Sequence, residues 1–409
     1  MTVMDNSTSL GVERPASVAE AAALLHGTRG PLLFRGAGTK QAWGGRITEP
    51  ALIVETAELS RLLAYNPADM TVAVEAGMAL RDLQEILGEK GQWLALDPPS
   101  AATGATVGGL LATGDSGPRR LRYGALRDLV IGVTLVLADG TVAHGGGTVI
   151  KNVAGYDLPK LLYGSLGTLG LVAEVVLRLH PRPETSATVT VASSVDRAGD
   201  VALRLLASPL EPSAVDWVQT GGGLLAVRLE GTRAGVEAQR RAVVEMLTED
   251  GARADWHTGA DEDALWQELT APHRPAPDAT LAYVGTLPSR TTDVARTLAE
   301  GGEAGGATTE LASRPALGLH TARFTGAPDG VAKAFEAWRA QLLGMGARVV
   351  LHERPADVDV LVDALGPAPS SAGLLQALQH RFDPDRRCGP GRLGPWLAPS
   401  PTREDTPQP

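Results

Sequence analysis

The stretch LLFRGAGTKQAWGG, residues 32 to 45, decides how the chain is read. An apolar run ends at Arg35 and passes directly into Gly36, Ala37, Gly38, Thr39 and Lys40. Small residues after a strand let successive backbone N–H groups converge on a negative group. The segment therefore asks for an anionic ligand, and the rest of the chain must say which.

Length and composition narrow the search. A chain of 409 residues suits two or three domains of about 100 to 200 residues each. With 44% hydrophobic and 21% charged residues it reads as globular. The net charge of −10 argues against nucleic acid as the main partner, because phosphate backbones recruit basic surfaces. Cys388 is the only cysteine, so the chain cannot form a disulfide or hold an iron–sulfur cluster alone. No run of about 18 apolar residues predicts a membrane span, and MTVMDNSTSL has no secretory pattern, so the expectation is a cytoplasmic protein. Lysine is scarce, and three of the five lysines fall in glycine-rich segments.

Working outward, residues 15–27 predict a helix with Pro15 near its start and Gly27 as its stop. PLLFRG and ALIVE predict strands, LSRLLAYNP a helical turn, MTVAVEAG a strand, and ALRDLQEILGEKG a helix with Leu80, Leu83, Ile86 and Leu87 on one face. ATVGGLLATGDS predicts a short buried helix begun at Thr106. Asp139-Gly140 predicts a hairpin turn, and Pro181 and Pro183 a domain boundary. Beyond it, residues 186–256 and 280–351 each read strand–helix–strand–strand–helix–strand, the second copy about 94 residues after the first. That order is the ferredoxin-like half, and two halves could join their sheets. The fold class is α+β.

Four segments carry the chemistry: RGAGTK at 35–40, DPPSAATGATVGGLLATGDSGPRRLRYG at 97–124, GGGTVIKNVAGYD at 145–157 and GSLGTLG at 164–170. A Rossmann fingerprint fails because Gln41 stands where a third small residue is needed, and a P-loop fails because no Gly-Lys pair occurs. What remains is a cradle built from several loops, with N–H groups at Gly36, Gly38, Gly104, Gly108 and Gly109, hydroxyls at Thr39 and Thr106, and the start of the helix at 106. Such a cradle suits a pyrophosphate shared between two subdomains, hence a dinucleotide. Tight turns and close helix packing are the alternative reading of each glycine.

In this order and at these separations, the segments resemble the FAD-binding domain of the vanillyl-alcohol oxidase and p-cresol methylhydroxylase (PCMH) superfamily. ATVGGLLATGDSGPRRLRYGALRDLVIGV with KNVAGYDLPKLLYGSLGTLG is similar, more narrowly, to the E-subunit family of bacterial glycolate oxidases. The resemblance is strong over residues 15–182, weaker over FDPDRRCGPGRLG, and architectural in the repeat region. It implies an FAD-binding domain over 1–183, a cap of two ferredoxin-like repeats over 184–370, a segment 371–398 returning to the FAD domain, and a disordered tail over 399–409. It implies that Arg35, Gly36, Ala37, Gly38, Thr39 and Lys40 form the pyrophosphate loop, and that Pro98, Thr103, Gly104, Gly108 and Gly109 form the second wall. Thr113, Ser116, Gly117, Arg119 and Tyr123 would approach the flavin ring or its tail, and Val172 the adenine end.

Departures from the family sharpen the reading. No histidine stands in the first loop to tether the flavin, so the resemblance implies noncovalent FAD. The HxGDGNxH-type metal motif of related 2-hydroxy-acid dehydrogenases is absent, and the eight histidines show no ligand spacing, so no metal site is expected. Oxidising a hydroxy acid needs a cation for the carboxylate, a base for the hydroxyl proton and a hydride acceptor. Lys151, Asn152, Tyr156 and His352 are the catalytic candidates. Lys151 could equally pair with Asp157, and His352 could be a surface residue. The family implies a second FAD subunit and an iron–sulfur subunit as partners, oxidation of glycolate to glyoxylate by the complex, and at most peripheral contact with the inner membrane. A self-sufficient flavin oxidoreductase on another hydroxy acid or alcohol, or a scaffold with structural FAD, are the alternatives.

Overall fold

The computed structural model describes residues 11–47, 50–148 and 157–397. Four sheets organise them. A small parallel sheet sets Leu52–Glu55 between Gly11–Glu13 and Leu32–Arg35, so the decisive stretch begins at a strand end beside Glu55. The helix Val18–Gly27 starts where Ser17 accepts the Glu20 N–H. Its Ala21 and Leu25 pack with Leu32, Val54 and Cys388.

A five-stranded antiparallel sheet follows in the spatial order Leu62–Asn66, Thr71–Glu75, Leu171–Arg178, Val130–Val136, Val142–Gly146. Helices Leu80–Gly88 and Val107–Thr113 pack on it through Leu80, Leu83, Leu87, Val107, Leu110 and Leu111. The expected helical turn at LSRLLAYNP is corrected here: Leu62–Asn66 is an edge strand that returns into Thr71–Glu75 around Met70, whose φ is +50°. Leu62 and Leu63 are both exposed, so apolar spacing in that stretch reported no buried face, and strand pairing decided the conformation.

The largest sheet has eight strands, in the order Ala254–His257, Thr185–Ala192, Leu224–Gly231, Ala214–Val218, Thr308–Arg314, Leu319–Thr325, Thr280–Gly285, Arg348–Glu353. Every pairing in it is antiparallel, and the centre is the contact of Trp217 and Val218 with Ser313 and Ala312. Helices Val195–Leu206, Arg233–Thr248, Thr291–Gly305 and Pro328–Gly344 bury Leu205, Val243, Leu298, Phe335 and Trp338 with the sheet in one core. The helix Gly259–Thr270, absent from the sequence expectations, sets Trp266 and Leu269 against Ala214, Val218, Ala226 and Ala312 in a separate cluster.

Contacts between distant segments hold these parts in register. Residues 387–392 return to the first sheet: Leu32 N–H donates to Arg387 O at 2.7 Å, Gly389 N–H to Leu32 O at 2.8 Å, and Gly45 N–H to Arg392 O at 2.7 Å. Arg119 reaches across to the large sheet, with Nη2 2.8 Å and Nε 3.0 Å from Glu230 Oε1.

Candidate functional site

The loop after Leu32–Arg35 is built to be open. The backbone N–H groups of Ala37, Gly38, Thr39 and Lys40 have no acceptor among the described residues. Gly38 has φ +74°, a conformation that glycine adopts without strain. A Cβ at Gly36 would overlap the Thr106 hydroxyl on the opposite wall. Arg35 is turned back to Glu55, with Nε 2.9 Å from Oε1, and Arg14 shares that carboxylate.

The opposite wall is the helix Val107–Thr113, and here the sequence reading needs correcting. Its first N–H groups are already engaged: Val107 donates to Met78 O at 2.9 Å, Gly108 to Ala76 O at 2.7 Å, and Gly109 to Thr106 Oγ1 at 3.2 Å. The glycines permit close packing instead, since a Cβ at Gly108 would stand 2.6 Å from Ala76 Cβ. What this wall offers is the Thr106 hydroxyl, which accepts from Gly109 and keeps its own proton to donate.

Arg35 to Gln41, Thr106, Gly108, Gly109, Thr113 and Val172 line a narrow channel of about 80 Å³, closed on a third side by Gly167, Gly170 and Leu171. At Thr113 and Leu166 it meets a chamber of about 530 Å³ that includes Ser116, Arg120, Tyr163, Tyr283, Arg348 and His352. Leu166 has φ +53° and donates its N–H to Ala112 O at 2.7 Å, so a strained residue stands at the joint between the two spaces. The other predicted residues are not among the lining of either space. Pro98 caps the short helix Pro99–Thr103, Thr103 donates its hydroxyl to Ser100 O, and Gly104 closes the turn at φ +84°. Gly117 packs on the Asp97 carbonyl, and Tyr123 stands edge-on to Trp93 and His180. Arg119 is committed to Glu230 and Asp97, so its cation joins the segment 97–119 to the large sheet and is not in the chamber lining.

Beside the chamber, Lys40 and Asp115 form an ion pair at 3.6 Å with side chains 8% and 7% exposed. Lys40 also lies over the Trp43 ring at 4.5 Å, and Ser100 donates its hydroxyl to Asp115. His352 is clamped between Trp43, at 3.6 Å between centroids, and Tyr283, at 5.0 Å, with all three rings near parallel. Burial, with the nearby charges of Lys40, Arg348 and Arg354, pushes the His352 pKa well below the usual histidine range, so the ring is neutral. Burial raises the Glu353 pKa, and this residue accepts the Trp43 Nε1–H at 2.9 Å. Asp115, Trp43, Tyr283 and Glu353 escaped the sequence reading because four separate segments bring them together. Lys151, Asn152 and Tyr156 lie outside the described residues.

An elongated channel with a row of free N–H donors, opening into a wide aromatic and polar chamber, is the shape a dinucleotide with one large ring system requires. Residues 10–146 match the FAD binding domain family. This part of the chain is an FAD-binding domain. Its cofactor is FAD. The chain is 32% identical over 224 residues to the glycolate oxidase subunit GlcD of Bacillus subtilis, covering 54% of this chain and 47% of that protein. It is 33% identical over 210 residues to the glycolate oxidase subunit GlcE of Escherichia coli, covering 51% and 59%. A D-lactate dehydrogenase of Archaeoglobus fulgidus is 34% identical over 209 residues, covering 49% and 46%. The chain thus spans about half the length of the curated relatives it matches. Among solved structures, an alkyldihydroxyacetonephosphate synthase shares the fold with a TM-score of 0.68 at 16% identity, over 93% of this chain and 76% of that one. The FAD-binding fold of the chain is therefore of mixed helix and sheet. Among the described residues no group of three or more His, Cys, Asp or Glu is placed to hold a metal, and no helix is long and apolar enough to cross a membrane.

Proposed function

We propose that this chain is an FAD-binding subunit of a 2-hydroxy-acid oxidoreductase complex of the glycolate oxidase kind. The observation that carries the reading is the run of unpartnered N–H groups at Ala37–Lys40 leading into a chamber that holds a neutral, ring-clamped histidine. In this reading the 36–40 loop and the Thr106 hydroxyl hold the pyrophosphate, Thr113 and Ser116 lie along the path to the ring, and Val172 borders the far end. No histidine or cysteine lies in residues 32–45, which supports noncovalent attachment. Bound FAD supplies the hydride acceptor for the substrate carbon. His352 takes the hydroxyl proton; its two ring neighbours fix the plane, and burial, helped by the surrounding cations, keeps it unprotonated until then. Lys40 holds Asp115 in place behind it.

The strand–helix–strand–strand–helix–strand order on each side of the large sheet supports a cap of two ferredoxin-like repeats over 184–370, after an FAD domain ending near 183. Similarity to two differently named glycolate oxidase subunits supports a complex with a second FAD subunit and an iron–sulfur subunit, working in the cytoplasm and reaching the inner membrane through its partners. Anaerobic titration of the FAD-loaded chain with glycolate and D-lactate tests this reading. Loss of the flavin's visible absorbance, alone or on adding the partner subunits, supports it. A His352→Gln variant should keep its FAD and slow that loss at least about 100-fold, the usual contribution of a positioned base. An FAD-loaded complex that neither acid reduces overturns the reading.

A further inference from the structure

Arg314 ends the strand Thr308–Arg314 beneath the chamber and is 2% exposed. Its Nη1 donates to Ser116 O at 3.0 Å, which ties the large sheet to the segment after the helix Val107–Thr113. Its other edge, Nε and Nη2, has no hydrogen-bond partner. Those two N–H groups form the side-on fork with which arginine grips two oxygens of one carboxylate. Asp216 forms a buried ion pair with this edge, its Oδ2 3.7 Å from Nε and so too long for a hydrogen bond, and its Oδ1 is also unpartnered. Burial pushes the Asp216 pKa up to about 7 with Asp97 adding to the rise and Arg314 opposing it, and the charges of Asp216, Asp97 and Asp115 together keep Arg314 protonated.

A second buried donor faces the same space. His273 is 9% exposed and meets Thr321 Oγ1 through Nδ1 at 2.7 Å, while Nε2 has no partner. Burial, with Arg314, Arg323 and Lys40 nearby, holds this ring neutral. When Thr321 donates to Nδ1, the single ring proton sits on Nε2 and points to whatever fills the cavity. Arg314, His273, Lys40 and Glu353 line a polar cavity of about 20 Å³ next to the chamber, and Trp43, Asp115, Ser116, Tyr283 and His352 border both spaces. Buried donors left without partners cost stability unless something binds them.

We propose that Arg314 and His273 form the carboxylate-recognition end of the chamber, gripping the acid group of a small 2-hydroxy acid while its hydroxyl lies toward His352. The assignment rests on the hydroxy-acid reading above and adds what that reading lacks: the cation that selects an acid over a simple alcohol. It predicts that a free carboxylate is bound without any turnover.

The test is equilibrium binding of oxalate, which carries no oxidisable hydroxyl, to the FAD-loaded full chain, followed by tryptophan fluorescence and by calorimetry. Oxalate and glycolate should saturate one site and compete, while ethylene glycol, the neutral counterpart of glycolate, should not. Arg314→Gln should weaken oxalate at least tenfold with FAD content unchanged, Arg314→Lys should restore part of the loss, and His273→Gln should weaken it about threefold. If Arg314→Gln does not fold, the ligand comparison and His273→Gln carry the test. Equal competition by ethylene glycol, unchanged oxalate affinity in a folded Arg314 variant, or no oxalate binding by the wild-type holoprotein overturns the assignment. Arg314-dependent oxalate binding without flavin reduction by glycolate or D-lactate would keep this site and remove the oxidation reading. Reduction with Arg314-independent binding would do the reverse.

Discussion

Replacing Gly108 with alanine separates a glycine that packs a wall from one that donates to a ligand. The added Cβ would stand 2.6 Å from Ala76 Cβ, 3.0 Å from Ala76 O and 3.3 Å from Ala76 Cα. Carbon atoms rest at about 3.5–4.0 Å, so the helix Val107–Thr113 and the Ala76 backbone must part by roughly 1 Å. The strain of such overpacking is about 1–3 kcal/mol, and the Gly108–Ala76 hydrogen bond stretches with it. Because Ala76, Thr106, Gly109 and Thr113 all line the channel, the same shift displaces the wall against which the cofactor must lie. The expected result is a thermal midpoint lowered by roughly 4–8 °C and FAD bound at least about tenfold more weakly. Gly104→Ala is the control: φ +84° makes it strained, yet a Cβ there meets nothing within 4 Å and Gly104 is not in the channel lining. It should lose about 1 kcal/mol of stability and no cofactor affinity. Fluorescence titration with FAD, beside urea denaturation of each variant, reads both quantities. An unaltered FAD dissociation constant in Gly108→Ala, or equal losses in the two variants, would refute the reasoning.

Other outcomes follow from the same geometry. Gly36→Ala should weaken FAD strongly, and pairing it with Thr106→Gly should recover part of the stability lost, because the two side chains compete for one volume; a strictly additive double-variant cycle contradicts this. Glu230→Gln leaves Arg119 without its main partner at a site only 1% exposed and should cost about 3–5 kcal/mol in urea denaturation; a loss under 1 kcal/mol would show that the junction does not depend on the pair. His320, buried between the Ser313 and Thr286 hydroxyls, has its pKa lowered to about 3, whereas the unfolded imidazole takes a proton near pH 6.5. Unfolding therefore binds a proton between those values, and stability is full above pH 6.5 and falls on acidification by about 1.4 kcal/mol per pH unit. His320→Asn should flatten that acid limb by one proton, read from urea midpoints between pH 4 and 7. Cys388 is buried and its thiol is pushed up by burial and by Asp383, so a thiol reagent should label it only in denaturant, with rapid native labelling as the contrary result.

The sequence is legible where local chemistry and burial agree. The alanine-rich run over 15–27 forms its expected helix, although Ser17 and not Pro15 sets its start, Thr106 caps the helix begun there, and TSATVTVA becomes a strand of the large sheet. It is illegible where a partner distant in the chain decides. Leu62–Asn66 is a strand because Thr71–Glu75 offers it an edge, and Gly108 is small because of Ala76. At the site, the open loop at 36–40 is visible as a string of small residues, since an unpaired backbone needs them. The clamp on His352 is not: Trp43, Tyr283 and His352 meet across about 300 residues of chain, and nothing local marks them. Arg119 misleads for the same reason, because its partner Glu230 lies 111 positions away.

The central claim is that the loop after Leu32–Arg35 holds the two linked phosphates of FAD. Its most direct test is the structure of the FAD-loaded chain. The account predicts phosphate oxygens within hydrogen-bond distance of the N–H groups of residues 37–40 and of the Thr106 hydroxyl, with the ring system in the chamber beside His352. A pyrophosphate seated elsewhere, with those N–H groups facing only water, would contradict it.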